Sequence, residues 1–425
     1  MNEKILIPSF KEALKFWFKL GFISFGGPAG QISIMHEYVV EKMKWISEIK
    51  FLNALNYCML LPGPEAQQLA TYIGWIMHKN KGGLAAGILF VLPSAFILLI
   101  LSVLYVNFGN IPIVYSFFSG LKPAIVAIVL TALLKISKKS LTDYFNIAIA
   151  VSSFTAIYFF HIEFPVIIIS TILISLIKSF FFDKNSDTNS VDDIVTETGG
   201  KFKPLKILTG LAVFFILWII PLVCIRSVSN DFVFWNDMIM FFTKSAFVTF
   251  GGAYSVLTYV AQVAVNNFNW LSSSQMIDGL ALGETTPGPL IMVLTFVGFM
   301  GGYNHFDSSV ISGTMALIVT TYYTFLPSFM FIFTGAPLIE YTQSNKKILN
   351  ILKPVTAAVT GVILNLCVYI AVTVIFPVEN NFTEVNFFGI IWILVSFVML
   401  QFYNVNIMKW IAVSAIAGLI KYLLI

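Results

Sequence analysis

The sequence predicts an all-α polytopic membrane protein made of two inverted-topology repeats with broken, re-entrant helices. Three observations carry this. Of 425 residues, 58% are hydrophobic and only 11% charged, with a mean hydropathy of +0.87, whereas a soluble chain has roughly a quarter of its residues charged. Apolar runs long enough to span a bilayer recur, among them 84–106, 205–225 and 362–377. One motif, Pro-Gly-Pro, interrupts an apolar segment in each half, at Pro62-Gly63-Pro64 and at Pro287-Gly288-Pro289.

The halves match well beyond that tripeptide. At a constant offset of 225, Lys19 to Gly27 pairs with Lys244 to Gly252, Trp45-Ile46-Ser47 with Trp270-Leu271-Ser272, and Pro62 with Pro287. With small gaps, Leu92-Pro93-Ser94 matches Leu326-Pro327-Ser328 and Lys122-Pro123 matches Lys353-Pro354. An offset held this long marks an internal duplication. The expected domains are a first repeat over 1–182, a polar linker over 183–204, one connecting span over 205–226 and a second repeat over 227–425.

In chain order, residues 8–25 read as an apolar helix stopped by Gly26-Gly27-Pro28, and 33–46 as an amphipathic helix on the membrane surface. Segments 49–61 and 65–78 flank the first Pro-Gly-Pro. Each is too short to cross a hydrocarbon core of about 30 Å, so together they predict a re-entrant hairpin. Four fuller spans follow near 84–108, 112–136, 143–160 and 164–182, the first two kinked by Pro93 and Pro123. The linker is rich in Asp, Ser, Thr and Asn and carries Gly199-Gly200. The span after it has no counterpart in the first half and delivers the second repeat upside down.

Lysine placement agrees. Lys42, Lys44, Lys50, Lys79, Lys81, Lys135, Lys138, Lys139, Lys178 and Lys184 all fall on one side of the expected first-repeat spans, which the positive-inside rule makes cytoplasmic. In the second half the equivalent surface segment (Asn266, Asn267, Asn269) and the loop Gly301 to Ser309 carry no lysine, while Lys346, Lys347 and Lys409 mark the next cytoplasmic turns. The loop Glu379 to Asn386 is expected outside.

The breaks are the candidate substrate site. A proline removes a backbone donor and pushes its predecessor out of the α region. Inside a membrane such a break must be buried in protein or line a wet cavity. The half-helix that follows presents free N–H groups and a positive dipole end, which suit an anion. The residues assigned to it are Pro62, Gly63, Pro64, Pro287, Gly288 and Pro289, the Gly-Gly bends Gly26, Gly27, Gly251 and Gly252 after Ser24 and Thr249, and the polar neighbours Gln67, Gln68, Thr285 and Thr286. Lys19, Lys122, Lys244 and Lys353 join them as charges inside apolar helices. Snorkelling of the lysines and tight glycine packing are the plainer readings. Glu65, which also borders the site, and Glu284 are the candidate proton carriers, although a glutamate opening a helix also serves as a dipole partner.

The chain excludes several classes. Cys58, Cys224 and Cys367 stand singly with no metal-ligand spacing, so no metal site and no cofactor are expected. No phosphate-binding loop or nucleophilic triad appears, which argues against an ATP-driven pump and against an enzyme. A net charge of +4 is too small to imply nucleic acid. The expected partners are a small inorganic anion and membrane lipid, with a homodimer as the assembly to test.

Phe22 to Gly30, then Leu61 to Gly74, resemble the first domain of the chromate ion transporter family; Phe247 to Ala253, then Glu284 to Ile291, resemble its second. The resemblance covers nearly the whole chain. It implies a multi-pass protein of the bacterial or archaeal inner membrane that exports chromate by secondary transport, driven by the ion gradient. It also implies glycine and proline motifs at Gly26, Gly27, Pro62, Gly63, Pro64, Gly251, Gly252, Pro287, Gly288 and Pro289. The chain departs in holding a single arginine, Arg226, so any basic position of the family falls here to lysine. Sulfate, molybdate or tungstate as substrate, and an intramembrane enzyme acting on lipid-linked phosphates, are the rivals.

Overall fold

A computed structural model describes residues 7–25, 27–182, 204–229, 231–335, 346–377 and 384–424. The expectations for the linker over 183–203 and for most of the loop from Glu379 lie outside these residues, as does Gly26. Among the described residues there are sixteen α-helices and no strand.

The first repeat opens with α1 (Phe10–Ile23), started by a capping box in which Ser9 and Glu12 satisfy each other's amides. Its buried face, Ala13, Phe16, Trp17 and Leu20, recurs at helical spacing. After the bend, α2 (Gly27–His36) continues through a π turn at Glu37–Lys42. The surface helix therefore begins at the glycine bend and not near residue 33. Pro28 looks like a loop residue, but in the first turn its missing N–H costs nothing.

Next, α3 (Glu48–Cys58) is capped by Ser47. The following helix, α4 (Glu65–Phe108), holds 44 residues, about 66 Å if straight, twice the hydrocarbon thickness of about 30 Å. It folds back instead. Its dihedrals leave the helical region at His78 and Lys79 (φ 54°), and Gly74 approaches Gly82 so closely that a Cβ on Gly74 would lie 2.5 Å from the Gly82 carbonyl oxygen. The short arm 65–77 and the α3 helix form the expected hairpin around Pro62-Gly63-Pro64. Pro93 stays within helical dihedrals, so the break lies at 78–79. Helices α5 (Pro112–Ser140), α6 (Tyr144–Phe160) and α7 (Phe164–Phe182) complete the repeat.

The connecting helix α8 (Pro204–Val228) has an almost wholly exposed apolar surface. It is held at mid-height by Tyr322 and Tyr323, which donate to the Leu217 and Trp218 carbonyls, and by Trp218, which donates to Thr243. An apolar groove of about 850 Å³ runs between α8, α4 and the later helix Val310–Gly335, lined by Ile88, Leu92, Val213 and Phe329.

The second repeat follows the first. It comprises α9 (Phe232–Val248), α10 (Ala253–Ala261) with a π turn at Gln262–Asn267, α11 (Ser273–Thr285), a 3₁₀ turn at Leu290–Met292, α12 (Val293–His305), α13 (Val310–Gly335), α14 (Lys346–Ile375), α15 (Phe387–Gln401) and α16 (Ile407–Leu424). Even the π turns recur, since 37–42 and 262–267 are 225 residues apart. Six described helices are long and apolar enough to cross a membrane, with α6 and α15 shorter apolar helices beside them. This is an all-α polytopic architecture.

Packing follows the duplication. Helix α1 packs on α4 as α9 packs on α13, and α5 receives α15 and α16 as α14 receives α6 and α7. The pairs α5–α14 and α4–α13 join equivalent helices across the middle. The buried apolar residues nevertheless form two clusters of unequal extent. One holds α1–α3 with the first arm of α4, Ala86 and Phe90 of its second arm and Ile332 of α13, and the other holds the rest, including α10 and α11.

Candidate functional site

The four interruptions meet. The Gly63 amide donates to the Thr249 carbonyl at 2.7 Å, and the Gly288 amide donates to the Ser24 carbonyl at 2.7 Å. Gly63 and Gly288 are repeat equivalents, as are Ser24 and Thr249, so each repeat's proline break is bonded to the other's glycine bend. A two-fold relation requires this reciprocity.

The local chemistry explains the fit. Both Pro-Gly-Pro glycines have positive φ, 122° at Gly63 and 97° at Gly288. A Cβ on Gly63 would meet Gln68 Nε2 at 2.7 Å and Ser328 Oγ at 2.8 Å, and one on Gly288 would meet Ser94 Oγ at 1.8 Å. Only glycine fits. Ser94 also donates to the Pro287 carbonyl. Ser94 and Ser328 are the repeat-matched serines after Pro93 and Pro327, and each faces the other half's break.

The two motif glycines lie at the candidate site without open donors in this structure. Their amides are occupied by protein carbonyls and are not offered to an anion. What stays open lies beside them. The side-chain positions of Gly27 (φ 71°) and Gly252 (φ 98°), also repeat equivalents, point into space with no atom within 4 Å. The half-helices that begin at Glu65 and Ala253 have no side-chain cap at Pro64 or Gly252, although the Gly252 carbonyl accepts from the Ser255 hydroxyl at 2.9 Å. Around these points Gly27, Pro28, Pro62, Glu65, Gly251, Gly252, Glu284 and Thr285 are partly exposed, while Ser24, Gly63, Pro64, Thr249, Thr286, Pro287, Gly288 and Pro289 are buried. Leu290 and Ile291, after the second break, are buried as well, so the second-repeat start offers less than the first.

Three buried glutamines belong to the first repeat alone. Gln68 donates to the Pro62 carbonyl at 2.7 Å, and Gln67 to Thr71 at 3.1 Å. Gln31, missed in the sequence, donates to the Gly288 carbonyl at 2.5 Å and to that of Ser24 at 3.4 Å. Their Oε1 atoms have no hydrogen-bond partner among the described residues. The second-repeat equivalents are Val256, Met292 and Val293. That half instead offers Glu284, which accepts from the Tyr254 hydroxyl at 2.6 Å.

The lysines are not gathered at the breaks. Lys122 lies 3.2 Å from Asp278 Oδ1 and donates to Ser274 at 2.6 Å. Asp278 is buried and accepts from the Tyr105 hydroxyl at 2.9 Å. Lys244 pairs with Glu163 at 3.1 Å with both side chains about half exposed. Lys19 lies 5.8 Å from the centre of the Tyr38 ring, and both Lys19 and Lys353 are exposed. Among the described residues no hydrogen bond or ion pair joins any of the four to a proline break. Asp278 and Glu163 escaped sequence reading because their partners lie on distant helices; an acid inside the otherwise apolar α11 was the available signal.

Broken helices, interlocked in pairs across a duplicated apolar bundle, define a class: the membrane transporter built on discontinuous helices. A family model described as chromate transporter matches residues 11–176 and 236–419. The chain belongs to the chromate transporter family, and is a multi-pass protein of the cell membrane. It is 24% identical to a chromate transport protein of Cupriavidus metallidurans over 97% of this chain and 93% of that one. To a probable chromate transport protein of Synechococcus elongatus it is 27% identical over 84% of this chain and 83% of the other. An uncharacterized transporter of Methanocaldococcus jannaschii is 26% identical over 98% of this chain and 95% of its own length. No solved structure matches.

Proposed function

We propose that the protein is a secondary transporter that exports chromate, a tetrahedral dianion, through the crossing of the four broken helices. The reciprocal pair of bonds, Gly63 to Thr249 and Gly288 to Ser24, carries this reading. It brings two glycine bends and two helix starts to one level and leaves open space beside Gly27 and Gly252. Donors there are main-chain amides at uncapped helix starts, which attract an anion without a fixed charge to hold it too tightly.

The two repeats run oppositely across the membrane. Side-chain contacts support this by joining ends that the inverted arrangement puts on the same face. His305 meets Asp231, and Tyr105 meets Asp278, at the outer face. Helix α8 approaches Thr334 through Gly210, and Lys178 covers Phe145, at the cytoplasmic face. Lysines concentrated at that inner face would raise the local concentration of an anion leaving the cytoplasm.

Coupling is assigned to Glu284, a carboxylate at the crossing that shares a short hydrogen bond with Tyr254. Anion exchange is the alternative drive. Inside-out vesicles test both. Labelled chromate should accumulate faster with an imposed proton gradient, and excess sulfate should compete, since the site reads charge and shape. Accumulation no faster than in protein-free vesicles would refute the transport reading.

A further inference from the structure

We propose that Asp278 and Lys122 latch the outer mouth of the transporter, and that the conformation described here is its cytoplasm-open state. The inference rests on the inverted arrangement proposed above. It begins from a departure from symmetry. Most helix pairs obey the two-fold relation between repeats, but two do not. Helix α10 packs on α14, and α11 on α5, while among the described residues α2 and α3 make no comparable packing on α5 or α14.

Burial shows the same difference. Every residue from Met276 to Gly283 in α11 is buried, against Phe51, Ala54, Tyr57 and Cys58 in α3. In α10 all of 255–261 is buried, against Gln31 and Met35 in α2. The first repeat's α1–α3 and short α4 arm accordingly sit in a smaller apolar cluster that, among the described residues, takes in the second repeat only at Ile332 of α13, beside the Tyr57 bond to the Phe331 carbonyl, whereas α10 and α11 merge with the central α5 and α14. Duplicated sequences in two packings are two settings of one design. Exchanging them would close the inner face and open the outer one.

The closed face carries a buried ion pair, whereas among the described residues the α3 side is joined to α13 by the Tyr57 bond to the Phe331 carbonyl and by no ion pair. Lys122 on α5 reaches Asp278 at 3.2 Å and Ser274 at 2.6 Å on α11, and Tyr105 holds the second Asp278 oxygen at 2.9 Å. The Lys122 and Asp278 side chains are only 15% and 7% exposed. The repeat equivalents are Lys353, which is exposed, Asn53 in place of Asp278, and Ile49 in place of Ser274. At these matched positions an ion pair can therefore form on one face only, which biases the chain toward the outer-closed setting. Asp278 acts by positioning α11 on α5 and need not touch the substrate.

The test is cysteine accessibility in sealed vesicles of either orientation, with the three native cysteines replaced by alanine and a membrane-impermeant maleimide as probe. Ala29→Cys, beside the open Gly27 bend, should label from the cytoplasmic side, and Ala253→Cys should resist label from outside. Asp278→Asn should raise outside labelling of Ala253→Cys by about tenfold, as expected when a minor state of a few per cent becomes common. The swap Lys122→Asp with Asp278→Lys should restore protection, which misfolding would not. Asn53→Asp, supplying Lys353 with a partner, should reduce cytoplasmic labelling of Ala29→Cys. Unchanged labelling in both Asp278→Asn and Asn53→Asp would overturn the latch. Labelling of Asp307→Cys from the cytoplasmic side would instead overturn the inverted arrangement, and with it the face assigned to the latch.

Discussion

Replacing Gly288 with alanine probes the interlock between the repeats. At φ 97° an L side chain is strained, at about 1–3 kcal/mol. The new Cβ would lie 1.8 Å from Ser94 Oγ and 3.0 Å from Ser94 Cβ. Ser94 must rotate and give up its bond to the Pro287 carbonyl, about 1 kcal/mol, or α4 must move away from the break, about 1–3 kcal/mol of overpacking. The total is about 2–6 kcal/mol. Gly63→Ala meets only the ends of two side chains, Gln68 Nε2 at 2.7 Å and Ser328 Oγ at 2.8 Å, so about 2–4 kcal/mol is expected. Thermal unfolding in detergent reads both: at about 2–4 °C per kcal/mol for a unit of about 150–250 residues, the size of one repeat, Gly288→Ala should lose upward of about 4 °C and Gly63→Ala less. Adding Ser94→Ala to Gly288→Ala removes the clashing oxygen and should recover part of the loss. A Gly288→Ala protein with unchanged melting and transport would refute the reasoning.

Three further outcomes follow from the same geometry. Lys122→Met leaves Asp278 buried without its charge partner and should cost about 3 kcal/mol, whereas exposed Lys353→Met should cost under about 0.5 kcal/mol; equal melting temperatures would contradict the pairing. Glu284→Gln should abolish acceleration by a proton gradient while leaving anion exchange, and Tyr254→Phe should shift the pH dependence of flux; full proton drive in Glu284→Gln would remove that carboxylate from coupling. At the start of α9, the His305 hydrogen bond, helped by the Phe234 amide, holds Asp231 below its ordinary value. A depressed carboxylate contributes stability above its unfolded pKa of about 4 and loses it as pH falls through the lower folded value. Asp231→Ala should thus cost about 1 kcal/mol at neutral pH through the lost cap, with the difference from the parent shrinking below about pH 4.

Local determinants were the legible ones. Proline and glycine act on their own backbone, so both proline breaks, both glycine bends and the hairpin around Pro62-Gly63-Pro64 could be placed from residue type alone. A constant offset exposed the duplication. Partnerships made across more than a hundred residues could not be read. Nothing near Gly63 indicates that Thr249 will take its amide, and nothing near Lys122 points to Asp278. The same limit hid the partners of the lysines: charges in apolar helices stood out, but the ion pairs of Lys122 with Asp278 and of Lys244 with Glu163 could not be read. Repeat comparison held one unread signal, the contrast of Asn53 with Asp278, because the eye follows matches and the asymmetry lies in a mismatch.

The initial rate of labelled chromate entry into inside-out vesicles, compared between the parent and the variants Gly27→Val and Gly252→Val, tests the crossing most directly. Each valine would fill the open space beside a glycine bend, at the strain that a positive φ imposes on a branched side chain, so thermal unfolding is compared first. Saturable entry in the parent, lost in both variants while they remain folded, is the predicted result. Folded variants that carry chromate at the parental rate would place the anion's path elsewhere in the molecule.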